Sequence, residues 1–502
     1  MDHNKFALRM LMVLTGLAVV FFTLEAVWDF SHALNPATGK PLTLDDLHVS
    51  AAMARAVASP FARAYNNILA LLLTFVALAI PLTANLYTPK LIEIFIRDRI
   101  NIIMLCSMSL LAAHSLFAIS LSFDNWTPQL PFWIDCVGAL IGWLVLMPYY
   151  FYVLSFIDPL TIIKRVHLSL MHELNDVVAG KYPIGLAQQR TNQRIINLGS
   201  MLQRSVDRAD RDVAFDAIKA HTLDLARVRA YKAKLPAPFF VVDNSLMVGM
   251  ARPACEMLSR EHIWMEHRIA SQLVLAFKTA LSKMPEGVSA LARAVKNAAH
   301  EEANHRNQAV FQLLVRTLNS FLRESIKKKE DAQVYAVIYN YKSLIRRMMR
   351  DHLSDVMELV RHQHYYAEYA RSHGLPFIYE LISYQLAELT EYAYGQQLQY
   401  ADDMLKAVLD FDEVEKHVGL VKSRMILATC LMEKGHPDQV ALIKASLLSV
   451  PERVLQRAHD DLMNTTNPVF WEVTERGNNI DFIEPDRRER MHLFFLSLQE
   501  QA

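Results

Sequence analysis

The fold of this chain follows from two apolar runs without Lys, Arg, Asp or Glu: residues 101–123, NIIMLCSMSLLAAHSLFAISLSF, and residues 136–157, CVGALIGWLVLMPYYFYVLSFI. Residues 68–87 form another uncharged run, and residues 10–28 form an apolar run with a single acidic residue, Glu25. Each run is close to the ~20 residues that a helix needs to cross ~30 Å of hydrocarbon. We therefore predict four transmembrane helices. We interpret the first as a retained anchor, because no small-x-small cleavage motif closes it.

The composition fits a chain that is only partly embedded in a membrane. Of its 502 residues, 52% are hydrophobic, which is high for a soluble enzyme and low for a protein made only of spans. We predict a transmembrane domain at residues 1–159 and a large domain outside the membrane at residues 160–502. Lys plus Arg and Asp plus Glu both number 52, so the balanced charge argues against nucleic-acid binding.

Residues 160–502 show the spacing of amphipathic helices, with apolar residues at i, i+3, i+4 and i+7. The chain is therefore predicted to be an all-α membrane protein, apart from two short segments. Residues 239–243 are expected to be extended after two prolines, and residues 469–483 are expected to form a hairpin around Gly477-Asn-Asn.

The positions of the cations predict the orientation. The segment 88–100 carries three cations and Lys164-Arg165 follows the fourth run, whereas the loop 124–132 carries none. Since cytoplasmic loops are enriched in Lys and Arg, both termini and the helical domain are predicted to be cytoplasmic.

Residues 81–116 carry a resemblance to a known family. The run Tyr87-Thr-Pro-Lys-Leu, the stretch Phe95-Ile-Arg-Asp-Arg and the span that opens directly after it resemble an uncharacterised bacterial family of predicted membrane proteins, a domain of unknown function. The resemblance implies a multi-pass protein of the bacterial inner membrane with the same four-span layout. It brings no catalytic residues.

His114 is the main candidate for a functional residue inside the membrane, because the charged form of an ionisable group is costly there. Ser107 lies on roughly the same side of the helix. No acidic residue is expected at matching depth, and Asp135 is expected near the outer interface, so a neutral, hydrogen-bonded histidine competes with an ion path. Gly138 and Gly142 form a GxxxG pattern, which predicts a close helix contact within one chain or between subunits.

Glu302 and His305 are weak candidates for metal ligands. They form an ExxH pair of the kind that carboxylate-bridged di-iron bundles use twice, but the second copy, residues 433–436, contains Gly435. A solvated polar face is the alternative interpretation. The motifs GxGxxG, GxxxxGK[ST], GxSxG and HExxH are absent from the sequence, so no cofactor and no enzyme activity are predicted.

Three functional hypotheses remain open at this point. The first is a membrane-anchored regulatory or scaffold protein whose helical domain binds a cytoplasmic protein partner. The second is a homo-oligomeric channel or pore lined by the His114 face or joined at Gly138 and Gly142. The third is a metal-dependent enzyme that uses Glu302 and His305.

Overall fold

The computed structural model describes residues 39, 50–86, 98–120, 129–351, 353–469 and 479–500. These residues are almost entirely helical, and no strand occurs among them. The chain divides into two compact units, Met1–Arg165 and Val166–Ala502. The division falls six residues after the predicted boundary at 159/160.

Three helices of the first unit are described: α1 (Ala51–Leu86), α2 (Arg99–Ser120) and α3 (Gln129–Ile157). Each contains most of one predicted span, namely 68–87, 101–123 and 136–157. The predicted span at 10–28 lies outside the described residues, as do Tyr87 and residues 121–123.

Two of these helices are long and apolar enough to cross a membrane over the windows Ile100–Phe117 and Phe132–Leu154. Only 28% and 29% of these windows are buried, whereas a core helix of a soluble protein would be mostly covered. Large apolar side chains point outward along both helices: Ile103, Leu110, Val137, Ile141 and Trp143 are each at least half exposed. Such faces suit contact with lipid.

The three helices of the first unit pack pairwise against one another. Asp98 precedes α2 and accepts hydrogen bonds from the backbone N–H groups of Ile100 and Asn101 at 3.0 and 3.3 Å, as an N-cap does. The Tyr152 hydroxyl, on α3, donates to the same Asp98 carboxylate at 2.8 Å. One acidic side chain thus both caps α2 and ties it to α3.

The second unit is a succession of helices, most of which are joined by short connections. The boundary between the units lies within α4 (Pro159–Val178). The helices that follow are α5 (Ile184–Asp207), α6 (Arg211–Lys232), α7 (Arg252–Arg260), α8 (Trp264–Lys283), α9 (Pro285–Asn304), α10 (Gln308–Lys328), α11 (Asp331–Asp351), α12 (Leu353–Ser372), α13 (Pro376–Gly395), α14 (Ala401–Leu409), α15 (Val418–Glu433), α16 (Pro437–Leu447), α17 (Glu452–Asn464) and α18 (Pro485–Gln499).

From α8 to α13, each helix contacts its neighbour and the helix after that. This pattern is typical of stacked helical hairpins, in which each layer buries the apolar face of the next. Phe277 of α8 and Phe321 of α10 stack at 4.0 Å between ring centroids and are fully buried. Trp264 is also fully buried, and its indole N–H donates to the carbonyl of Phe239 at 3.1 Å.

The two segments predicted to be extended have different outcomes. Residues 237–240 form a short 3-10 helix, Ala237–Phe240, so the prediction of an extended start at Phe239 is wrong. Pro238 lies in the first turn of this 3-10 helix, and its ring restricts φ to the value that a helical turn needs. The turn buries the aromatic side chains of Phe239 and Phe240. The predicted hairpin at 469–483 falls largely outside the described residues.

Candidate functional site

Asp135 is the centre of a polar cluster between the helices of the first unit. Its side chain is fully buried, and its Oδ1 lies 2.7 Å from His114 Nδ1 and 3.1 Å from Ser115 Oγ on α2. Tyr65, on α1, donates its hydroxyl to the backbone carbonyl of Asp135 at 3.4 Å. Three helices therefore supply polar groups to one point. We call Tyr65, His114, Ser115 and Asp135 the polar cluster.

The expectation that no acidic residue reaches His114 is wrong. Helix α3 begins at Gln129, so Asp135 lies inside the apolar window Phe132–Leu154 and faces α2. A buried carboxylate is costly unless it is hydrogen-bonded or paired, and the adjacent imidazole and hydroxyl supply both forms of compensation.

The polar cluster places an imidazole and a carboxylate, those of His114 and Asp135, in direct hydrogen-bond contact at 2.7 Å. The second carboxylate oxygen, Oδ2 of Asp135, is buried and has no hydrogen-bond partner among the described residues. His114 retains about a quarter of its side-chain surface, so it is the accessible member of the pair.

The other candidates in the membrane unit have structural surroundings. Ser107 lies two turns before His114, and its hydroxyl donates to the carbonyl of Met104 at 3.0 Å, so the structure does not bring it into the polar cluster. A Cβ on Gly138 would lie 2.6 Å from Leu111, and one on Gly142 would lie 3.4 Å from Met108.

Both glycines also face Tyr65 of α1, since a Cβ added to either glycine would lie 3.5 Å from the Tyr65 side chain. The GxxxG face is therefore occupied by contacts within the chain. Close packing at these two positions is what lets α1, α2 and α3 approach one another around the polar cluster.

Glu302 and His305 have different surroundings in the structure. Helix α9 ends at Asn304, and His305 is its exposed C-cap residue. Glu302 is buried, and its carboxylate accepts hydrogen bonds from Arg229 at 2.5 Å and from Asn307 at 2.7 Å. The Glu302 carboxylate is thus engaged by a cation from α6, whereas the His305 side chain is exposed to solvent.

A second buried ion pair lies beside that of Glu302. Glu266 of α8 is fully buried and pairs with Lys232 of α6 at 2.5 Å. Burial raises the pKa of the Glu266 carboxyl, Lys232 opposes that effect, and the negative charge of Glu302 adds to it. These pairs tie α6 to α8 and α9, and they engage Glu302, the acidic residue that the sequence offers as a ligand candidate.

Sequence reasoning missed Tyr65 and Asp135 as members of the site. Asp135 stands one residue before the uncharged run at 136–157, where it resembles an interface residue, and Tyr65 stands three residues before the run at 68–87. The sequence did contain one signal, because both residues stand just before an apolar run. A helix that begins before such a run places these residues between the helices as well.

Two helices that are long and apolar enough to cross a membrane indicate a helical membrane protein. Residues 3–218 match the model of the family described as "Predicted membrane protein (DUF2254)", which confirms the resemblance found at residues 81–116. The match continues through the helices of the first unit into α6, well beyond the segment that carries the resemblance. No curated protein and no solved structure matches the chain.

Proposed function

We propose that this chain is a multi-pass regulatory or scaffold protein of the bacterial inner membrane, whose spans anchor a helical interaction domain in the cytoplasm. One observation carries the proposal: residues 166–502 form a compact unit of their own, in which successive helices stack on their neighbours. Stacked helical hairpins provide extended surfaces that bind partners and do not require a catalytic centre.

The packing of the membrane unit supports an anchoring role. Tyr65, Ala112 and Ala139 form a buried apolar cluster, with Phe61 and Leu111 packed against it. These side chains fill the space between α1, α2 and α3, and the exposed apolar residues of α2 and α3 face away from it. The described spans of one subunit therefore serve to hold the chain in the bilayer.

Cross-linking in living cells tests the scaffold proposal. We expect one protein to be cross-linked reproducibly to surface lysines of residues 166–500 when the full chain is expressed in a bacterium that encodes it. The control is the same experiment with the first unit joined to an unrelated soluble domain, which should lose this partner. Cross-links that occur only between copies of the chain would contradict the proposal.

A test of the proposed cytoplasmic location of the second unit requires a reporter cysteine at a new position. Cys255 and Cys430 are both buried, so neither reports accessibility. Val248 is 85% exposed and suits a Val248→Cys substitution in a chain without other cysteines. We expect this thiol to react with a membrane-impermeant maleimide only after cell lysis. Labelling in intact cells would place the domain outside and refute the predicted orientation.

A homo-oligomeric channel is the second candidate, and the His114–Asp135 pair is the observation that favours it. A pair that can bind a proton among apolar side chains is a common element of ion paths. The path would run between subunits, because side chains fill the space between the three described helices of one subunit. Planar-bilayer recording of the purified protein tests this candidate: a pH-dependent current that His114→Ala changes would favour it, and no current at any voltage or pH would remove it.

A further inference from the structure

We propose that the second unit binds a phosphate-bearing anion in a groove between α11 and α13. This role goes beyond the proposed anchoring and scaffold function and does not depend on it. The groove has a volume of about 310 Å³ and combines cationic side chains with hydroxyl groups. Its lining consists of Tyr339, Lys342, Ser343, Arg346, Arg347, Arg350 and Glu388.

The cations come from one face of α11. Lys342, Arg346 and Arg350 follow one another at a spacing of four residues, and Arg347 lies beside them. Because an α-helix rises 1.5 Å per residue, this face presents its positive charge within ~12 Å. That length suits a ligand with one or two phosphate groups.

Of the seven residues that line the groove, four are basic and one, Glu388, is acidic. Glu388 of α13 accepts a hydrogen bond from Lys342 and lies 3.3 Å from Arg346, so one carboxylate is divided between two cations. The lining therefore has more positive than negative charge, which an anionic ligand would balance.

Further positive charge comes from the adjacent helix, α9. Arg347 donates to the neutral amide oxygen of Asn297 at 3.2 Å, and Lys296 next to it is only 7% exposed. Burial together with the charges of Arg347 and Arg293 lowers the pKa of the Lys296 ammonium. Arg347 thus contributes to a local excess of positive charge beside the groove, which a bound anion would reduce.

Tyr392 holds two of the guanidinium groups in place. The Arg346 guanidinium lies 4.6 Å from the centroid of the Tyr392 ring, and Arg350 donates to the Tyr392 hydroxyl at 3.0 Å. Guanidinium groups fixed in this way lose less conformational freedom when a ligand binds. Their planar donor geometry matches phosphate oxygens, and the Ser343 hydroxyl can supply a neutral donor.

A second cavity of about 340 Å³ adjoins the groove, and Tyr339, Lys342 and Glu388 line both. Tyr335 and Tyr384 also line this cavity. A ligand larger than phosphate can therefore place its charged group on the α11 arginines and its remaining part against tyrosine rings. Both a soluble phosphorylated compound and the headgroup of an anionic lipid have this chemistry.

Calorimetric titration of the full chain in neutral detergent tests the site. The probes are inorganic pyrophosphate, short-chain phosphatidylglycerol and short-chain phosphatidylcholine. Arg347→Gln removes one exposed cation of the groove, and Arg316→Gln on α10 is the matched control, since it removes an exposed cation elsewhere. We expect Arg347→Gln to raise the dissociation constant about tenfold, as the loss of one charge-assisted hydrogen bond does, and Arg316→Gln to change it less than about twofold.

The probes distinguish the source of the phosphate group. Binding of pyrophosphate supports a soluble ligand, and binding of phosphatidylglycerol but of neither pyrophosphate nor phosphatidylcholine supports a lipid headgroup. Arg347→Lys keeps the charge and loses the fork geometry, so it should give a smaller loss and serves if the glutamine variant misfolds. No binding of pyrophosphate or phosphatidylglycerol, or an equal effect of the two Gln variants, would overturn the proposal.

Discussion

His221 makes the second unit sensitive to acid in a way that can be calculated. It lies on α6 with no exposed surface, and neither ring nitrogen has a hydrogen-bond partner among the described residues. Burial lowers the pKa of its imidazole from 6.5 to about 3, because the charged form would be deprived of water.

The unfolded chain therefore binds a proton near pH 6.5, where the folded chain does not. Since the folded pKa is the lower one, stability is present above pH 6.5 and is lost as the pH falls toward 3. Between pH 7 and pH 5 the linkage relation gives a loss of about 2 kcal/mol from this residue alone. The equilibrium constant for opening of the folded helix therefore rises about 30-fold.

Hydrogen–deuterium exchange over α6 measures this loss in the full chain in detergent, after correction for the intrinsic pH dependence of exchange. We expect the opening free energy of wild type to fall by about 2 kcal/mol more than that of His221→Leu between pH 7 and pH 5. Other titrating groups are common to both proteins and cancel in the comparison. Equal pH dependence of the two proteins would refute the assignment of a neutral, buried imidazole to His221.

Two further predictions concern buried contacts in each unit. Arg229→Met should lower the free energy of unfolding by about 3 kcal/mol, measured by denaturant titration, because it leaves the buried Glu302 carboxylate without its cation; an effect below about 1 kcal/mol would mean that Glu302 is not held by this pair. Gly138→Ala should lower the free energy of unfolding of the detergent-solubilised chain by about 1–3 kcal/mol, measured by denaturant titration, because a Cβ there would lie 2.6 Å from a leucine methyl. Gly142→Ala is the matched control, since its nearest contact is 3.4 Å, and a similar loss in both variants would contradict the packing argument.

The helical boundaries of the second unit were largely open to prediction from the sequence. Proline stands at the first position of α9, α13 and α16, and Gly374 and Gly435 adopt positive φ just before two of these helices. Such punctuation acts within a few residues, so it can be read locally. The prediction at Phe239 was wrong because the two prolines before it, Pro236 and Pro238, are as compatible with a 3-10 turn as with an extended segment.

The candidate site could be predicted only in part. His114 was identified because an ionisable residue inside an apolar run is unusual by itself. Its partner Asp135 could not be, because their contact depends on how far α3 extends before the apolar run and on how α3 is rotated against α2. Glu302 was misleading for the same reason, since its true partner, Arg229, is on a helix distant in sequence.

The sequence by itself determined that residues 101–120 and 136–157 form apolar helices and that amphipathic helices follow, because the preference for lipid, core or water is a property of each run of residues. The tertiary structure alone decided that Tyr65, His114 and Asp135 meet and that the cations of α11 line one groove. These juxtapositions join residues from different helices, and the distance between such residues is set by side-chain packing and not by local preference.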